Sequence, residues 1–344
     1  MKTPDRYHRQ TLLAPIGIEG QKKIRAARIM IVGAGALGSC SSELLTRMGV
    51  HSITLIDRDI VDFTNLHRQM LYDEIDAQQQ TSKVEAAIAR LSQINSDVEF
   101  VGYAIDLDTT NIEGLFNDVH PDLVIDGTDN AETRYLLNDV CVKRQLPWVM
   151  GAAVGVEGRV GAFVPGGPCL RCVFPKPPDV GELPSCDTVG VMPSLVTLVA
   201  SMQVTEALRI LMKDESAARE LTTIELWTNR IRTIDIHNAK RDDCPCCVKR
   251  AFDFLNNHAH STAKLCGRNA VQVRPARPAR LNLEDLSNRL RGLGAVDATS
   301  LMLKFSPDDR PDLSACLFND GRMILFGSED RTLARTLYAK YVGV

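Results

Sequence analysis

The sequence predicts an α/β protein organised on a doubly wound, mostly parallel sheet with a four-cysteine knuckle, and three observations support this. An apolar run at Ile29, Met30, Ile31 and Val32 leads into Gly33, Gly35 and Gly38; a helix-like segment follows, and a second apolar run ends on Asp57. Helix-like and strand-like periodicities then alternate along the chain. Two CxxC pairs, Cys169 with Cys172 and Cys244 with Cys247, stand far apart in the sequence.

The glycine segment reads as strand, phosphate loop, helix, strand and ribose-binding acid, which is a Rossmann-like unit. Glycines permit a tight turn and close backbone approach to phosphate, while free amides at the next helix start attract the anion. The ordinary reading of this fingerprint is a dinucleotide oxidoreductase, and nothing within those residues excludes it.

Residues 81–91 have helical spacing, 98–103 read as a strand, and 123–125 form a short buried strand ending at Asp126. A helix over 134–144 and strands over 148–151 and 159–164 extend the sheet, so ligands belong at the strands' carboxyl ends. Residues 174–193 are rich in proline and glycine and read as a crossover loop. A buried helix over 194–212 and strands near 222–226 and 232–236 complete a first domain, 1–247. Residues 248–264 read as a polar linker, and 265–344 as a small α+β domain. That tail has candidate strands at 270–273, 301–305, 315–318 and 323–326 and helices at 283–290 and 331–341, with a turn at Asn319, Asp320 and Gly321.

Composition narrows the function. A chain of 344 residues with 44% hydrophobic content can bury a sizeable core. A net charge of −3 without long single-sign runs gives no nucleic-acid footprint. The first residues lack a signal-peptide core and no uninterrupted apolar stretch reaches membrane length, so the expected setting is cytoplasmic, away from any membrane. With no export signal, the CxxC pairs among the ten cysteines read as metal ligands.

Past Asp57 come Asp59, Asn65, His67, Arg68 and Gln69, then Lys83 at the head of a helix. A triphosphate reacting at its α-phosphate needs several cationic and amide donors, whereas a nicotinamide does not, which shifts the balance towards ATP. Taken singly, Arg68 and Lys83 would be solvated surface charges. Asp129, in the loop after a parallel strand, is the Mg²⁺ candidate, neutralising charge as pyrophosphate leaves. Asp126 either caps that loop or joins the chemistry, and the sequence leaves both open. Cys169, Cys172, Cys244 and Cys247 match a closed four-cysteine zinc knuckle, with Cys246 able to exchange roles in the second pair. Cys186, in the crossover loop, is either an acceptor of an activated acyl group, as thioester or persulfide-linked intermediate, or an incidental thiol. Cys40, Cys141 and Cys316 read as small core residues, and His258 and His260 as linker polarity.

In order, RYHRQ (6–10), GAGALG, DRDIVDFTNLHRQ (57–69), SKVEAA (82–87), DGTDNAETRYLLND (126–139), GPCLRC (167–172), PSCDTVGV (184–191) and DCPCC (243–247) resemble the ThiF/MoeB/HesA family, relatives of ubiquitin-activating enzymes, over roughly 6–247. The resemblance implies that Gly33, Gly35, Gly38, Asp57, Asn65, Arg68 and Lys83 bind ATP, with Asp129 on Mg²⁺. It also implies a homodimer in which Arg9 crosses to the other subunit's phosphates; from the residues alone Arg9 is a frayed surface charge. The implied partner is a ubiquitin-like sulfur carrier protein whose C-terminal Gly-Gly carboxylate attacks the α-phosphate, giving an acyl-adenylate and pyrophosphate. Sulfur from a donor such as a cysteine desulfurase then displaces AMP to form a thiocarboxylate for thiamine or molybdopterin synthesis. Thr81-Ser82-Lys83 departs from the family's usual Gly-x-Pro-Lys but keeps the lysine, and the tail lacks a rhodanese-type loop and looks like that of thiazole-branch relatives. Two alternatives remain: an NAD-dependent oxidoreductase, supported by the glycines alone, and a tRNA-modifying relative, against which the missing basic surface and the four cysteines argue.

Overall fold

The computed structural model describes residues 6–177, 186–256, 270–273 and 281–343. The chain divides into two compact units, Met1–Tyr103 with Leu107–His258, and Ala104–Asp106 with Ala259–Val344.

The first unit is built on an eight-stranded sheet. Its strands are β1 (Arg28–Val32), β2 (Ser52–Ile56), β3 (Glu99–Tyr103), β4 (Leu123–Asp126), β5 (Trp148–Val154), β6 (Glu157–Phe163), β7 (Glu220–Glu225) and β8 (Arg230–Asp235), in the order β3-β2-β1-β4-β5-β6-β7-β8. β1 to β5 run parallel. The order reverses between β1 and β4, which places a ligand crevice at their carboxyl ends. Both strands are buried along nearly their whole length, and Ile29, Ile31, Leu123 and Ile125 are essentially unexposed.

The last three strands are antiparallel, so the sheet is mixed, with the parallel half holding the crevice. Gly155 (φ +59) and Val156 alone join β5 to β6, and a connection that short can make only a hairpin. Helix Pro193–Met212 is long and apolar enough by composition to cross a membrane. Its apolar character has a local cause: a Cβ on Gly158 of β6 would lie 2.6 Å from Val199 on that helix, so the helix covers the sheet closely.

The segment expected as crossover loop contains a short helix, Cys186–Val189, and residues 178–185 lie outside the described part. Within the expected linker, Asp253–Asn256 is helical, while His258 and His260 fall outside the described residues. Cys40, Cys141 and Cys316 are buried core thiols, with Cys40 pushed up to about 11 and Cys316 to about 12 by burial.

The second unit holds a five-stranded antiparallel sheet of β9 (Ala270–Val273), β10 (Gly294–Ala298), β11 (Met302–Pro307), β12 (Ser314–Phe318) and β13 (Met323–Phe326), in the order β10-β11-β12-β13-β9. Helices Leu283–Leu290 and Arg331–Tyr341 close a core of Leu286, Leu290, Leu303, Phe305, Leu317 and Tyr338. The Asn319–Gly321 turn joins β12 to β13 with Gly321 at φ +82. β10 is absent from the sequence expectation because it is a short edge strand, largely exposed and without apolar alternation.

Candidate functional site

At the crevice floor, glycine backbones bring the ends of β1 and β4 into contact. Gly33 leaves β1 at φ +90, and its N–H donates to Ile56 O at 2.7 Å. A Cβ on Gly33 would lie 2.7 Å from the Gly127 carbonyl oxygen, so a side chain there would part the two strand ends. Gly35, first residue of the turn into helix Ala36–Met48, differs. A Cβ there would meet only the Gln69 amide, at 3.8 Å, so nothing within the protein demands glycine. The space beside it is what a phosphate approaching the helix amides would need. Tyr72 braces the loop from behind, its hydroxyl donating to Ala34 O at 2.6 Å.

Asp57, at the end of β2, accepts the Ala34 N–H and the Asp59 N–H at 2.7 Å each. Burial raises its carboxyl above the ordinary range, and Lys83 opposes that rise. Residues 59–61 run beside 81–83: Val61 N–H donates to Thr81 O at 2.8 Å and Lys83 N–H to Asp59 O at 3.0 Å. This pairing seats the 5%-exposed Lys83 with its ammonium 3.0 Å from Asp59 Oδ2.

A 3-10 turn, Phe63–Asn65, capped by Asp62 through the Thr64 N–H at 2.8 Å, carries the next group. Asn65 and Gln69 are buried, yet Asn65 Oδ1 and Gln69 Oε1 have no hydrogen-bond partner among the described residues. Unpaired buried acceptors cost about 1–3 kcal/mol each, which a bound polar ligand would relieve. Arg68 donates to Thr64 O at 2.8 Å and has no carboxylate partner among the described residues. Open space at Gly35, two orphaned amide oxygens and the cations of Arg68 and Lys83 fit a polyphosphate nucleotide.

Asp126 resolves as a loop-holding residue. It is fully buried, accepts the Thr128 N–H at 2.9 Å, and pairs with Arg134 Nε at 2.6 Å. Arg134 also donates to the carbonyls of Thr128 and Gly151, each at 3.0 Å. Sequence reasoning missed Arg134, because nothing in a helical pattern tells an inward arginine from a solvated one. Asp129 is exposed in the turn that Arg134 fixes, and Asn130 caps helix Ala131–Arg144 by accepting the Thr133 N–H at 2.8 Å. Among the predicted site residues, Cys186 begins the short helix Cys186–Val189, and its side chain lies outside the described atoms.

The two CxxC pairs converge. Sulfur separations are 3.9 Å for Cys169–Cys172, 3.6 Å for Cys169–Cys244 and 3.5 Å for Cys172–Cys247, with all four within 4.8 Å of one another. Ligands at about 2.3 Å from a tetrahedral Zn²⁺ stand about 3.8 Å apart, whereas a disulfide needs about 2.05 Å. The four sulfurs therefore fit a zinc ion. Cys246 lies outside this set, its sulfur accepting from Asn138 Nδ2 at 3.2 Å. Without a cation the Cys172 and Cys247 thiols hold their protons: the Cys169 sulfur and burial push Cys172 to about 12, and burial and the Cys172 sulfur push Cys247 to about 12.

Arg9 lies exposed on helix His8–Thr11 beside the buried Tyr7, whose hydroxyl accepts from Asn95 Nδ2 at 2.9 Å. The profile of the ThiF family matches residues 7–246, from this N-terminal segment to the knuckle. The chain belongs to the ThiF family. This ThiF-family chain is 41% identical over 340 residues to the sulfur carrier protein ThiS adenylyltransferase of Bacillus subtilis, covering 98% of this chain and 99% of that one. It is 36% identical over 250 residues to the sulfur carrier protein adenylyltransferase of Thermus thermophilus, covering 71% and 90%. The crystal structure of E. coli MccB with ATP shares the fold of this ThiF-family chain at a TM-score of 0.61 and 21% identity, over 71% of this chain and 75% of that one.

Proposed function

We propose that this chain is an ATP-dependent adenylyltransferase acting on the C-terminal Gly-Gly carboxylate of a ubiquitin-like sulfur carrier protein. The observation that carries it is the open cradle at Gly35, which the Gln69 amide approaches, on a loop tied through Ala34 to Asp57 and on to Asp59 and Lys83, with the Asn65 and Gln69 oxygens unpartnered among the described residues. The near full-length similarity to the Bacillus subtilis ThiS adenylyltransferase supplies the substrate class.

The carboxylate is an anion at pH 7 and needs no general base, so catalysis is positioning and charge neutralisation. Gly33, Gly35 and Gly38 bring backbone amides to the phosphates, and Asp57 takes the ribose. Asn65 and Gln69 orient the nucleotide, while Arg68 and Lys83 neutralise charge that develops at the α-phosphate, with Asp59 steadying Lys83. Mg²⁺ held by Asp129 would supply further charge neutralisation on the departing pyrophosphate. Arg9 reaches the phosphates of a second copy in a homodimer. Zinc on Cys169, Cys172, Cys244 and Cys247 fixes the fold around the crossover segment. Sulfide-level sulfur from a donor then displaces AMP from the acyl-adenylate, either directly or after the Cys186 thiolate has expelled AMP to form a thioester, from which the donor sulfur in turn displaces Cys186. A reducing, cytoplasmic setting suits these free thiols.

A thiamine-type carrier is favoured over a molybdopterin-type one, because similarity to the ThiS enzyme runs through the second unit while the Thermus thermophilus match covers 71% of the chain. The test is intact-mass spectrometry of each carrier type after incubation with enzyme and ATP. A gain of one AMP less water on a Gly-Gly-ended carrier is expected; no adduct on any carrier, with ATP bound, overturns the substrate assignment.

A further inference from the structure

Helix Ala131–Arg144 buries two polar side chains completely, Asn138 and Asp139. Fully buried amides and carboxylates are rare unless they fix something. Asn138 Oδ1 accepts the Leu170 N–H at 2.9 Å, within the first CxxC turn, and its Nδ2 donates to Cys246 Sγ at 3.2 Å, within the second pair. One amide thus holds both arms of the knuckle. Asp139 Oδ2 accepts the Phe254 N–H at 2.9 Å, fastening the chain just beyond it.

One turn earlier on the same helix face, Arg134 bonds Asp126 Oδ2 at 2.6 Å and the Thr128 and Gly151 carbonyls at 3.0 Å. Four residues of helix separate the two anchors by about 6 Å along the axis. The helix therefore has the knuckle at one anchor and the crevice turn at the other. Asp57 and Lys83 stand on other elements, while Gly33 packs against Gly127 and Thr128 of that turn.

We propose that Asn138 is a positioning residue that couples the zinc knuckle to the nucleotide crevice, setting the helix so that Arg134 aligns the turn bearing Asp129. The proposal rests on the zinc and ATP assignments above. Because Asp57 and Lys83 are held apart from this turn, the loss is expected to fall more on turnover than on ground-state ATP binding when the coupling fails.

The test compares Asn138→Leu, Asn138→Asp and Cys246→Ala with the wild-type chain. Asn138→Asp keeps the acceptor for Leu170, and Cys246→Ala leaves the Asn138 amide in place while removing the thiol that meets its Nδ2 and also Asp139 and Cys169, so both give a readout should Asn138→Leu fail to fold. Zinc content of the wild type is measured first; less than one ion per chain sinks the zinc assignment before any variant is made. The wild type must also bind ATP, which checks the crevice assignment separately. Zinc release to EDTA is then expected to accelerate about tenfold or more in Asn138→Leu and less in the other two. In zinc-loaded Asn138→Leu, or in Asn138→Asp if that variant does not fold, kcat for pyrophosphate exchange should fall about tenfold with KM for ATP within about twofold. Zinc release unchanged in every folded variant, or faster release with unaltered kcat in the loaded enzyme, would overturn the coupling.

Discussion

A Cβ on Gly38 would lie 1.8 Å from the carbonyl oxygen of Gly33, while one on Gly35, three residues earlier, would meet nothing nearer than 3.8 Å. The same glycine fingerprint therefore contains a packing position and a ligand position. Gly38→Ala should destabilise the chain by about 1–3 kcal/mol or more, since backbone must move. Gly35→Ala should cost about 1 kcal/mol at most, as a helix-start substitution, yet weaken ATP binding tenfold or more. Urea denaturation and ATP titration separate the two; equal stability losses with equal ATP affinities would contradict the division.

Arg134 and Asp126 give a second contrast. Removing Arg134 leaves a completely buried carboxylate unpaired, so Arg134→Leu should lose about 3–5 kcal/mol. The double variant Asp126→Asn, Arg134→Leu should be more stable than Arg134→Leu alone, because the stranded charge is gone. Denaturant midpoints of the three proteins check this, and a double variant weaker than the single would refute it.

These contrasts mark how far the sequence reads. That the glycine turn, Asp57, Asp59 and Lys83 come together was legible because the glycine spacing marks a strand-to-helix turn and the polar residues cluster just past the second strand. The knuckle was legible because thiols at CxxC spacing have few other uses. Helices Leu283–Leu290 and Arg331–Tyr341 were legible from apolar periodicity. Arg134 and Asn138 were not, since a helical pattern shows which positions face inward only when they are apolar. The antiparallel direction of β6 was also missed, although the two-residue link Gly155-Val156 excludes a crossover. Arg9 is exposed, and its assignment rested on family resemblance alone.

The knuckle's zinc affinity should depend steeply on pH. Thiols at Cys172 and Cys247 pushed to about 12 are protonated at neutral pH without a cation, and zinc must displace those protons. Apparent affinity then falls as pH falls, by about tenfold per pH unit for each proton displaced. Competition with a chelator at pH 6 and pH 8, corrected for the chelator's own protonation, measures this; affinity independent of pH would show thiolates already present.

Asp129 is exposed, so Asp129→Ala should leave the fold intact and zinc content unchanged while abolishing carrier-dependent pyrophosphate exchange. Retained exchange would remove it from the Mg²⁺ role. Cys186→Ala should spare exchange and reduce only thiocarboxylate formation; loss of exchange would assign that segment to positioning.

Activation of a C-terminal carboxylate by ATP is the reaction proposed for the crevice. ATP/pyrophosphate exchange with Mg²⁺ and a panel of Gly-Gly-ended carriers, thiamine-type and molybdopterin-type, each against a copy lacking its final glycine, tests it most directly. Exchange that requires the terminal glycine, strongest with the thiamine-type carrier, is the predicted result. Exchange that is indifferent to that glycine, or absent with every carrier while ATP still binds, would contradict it.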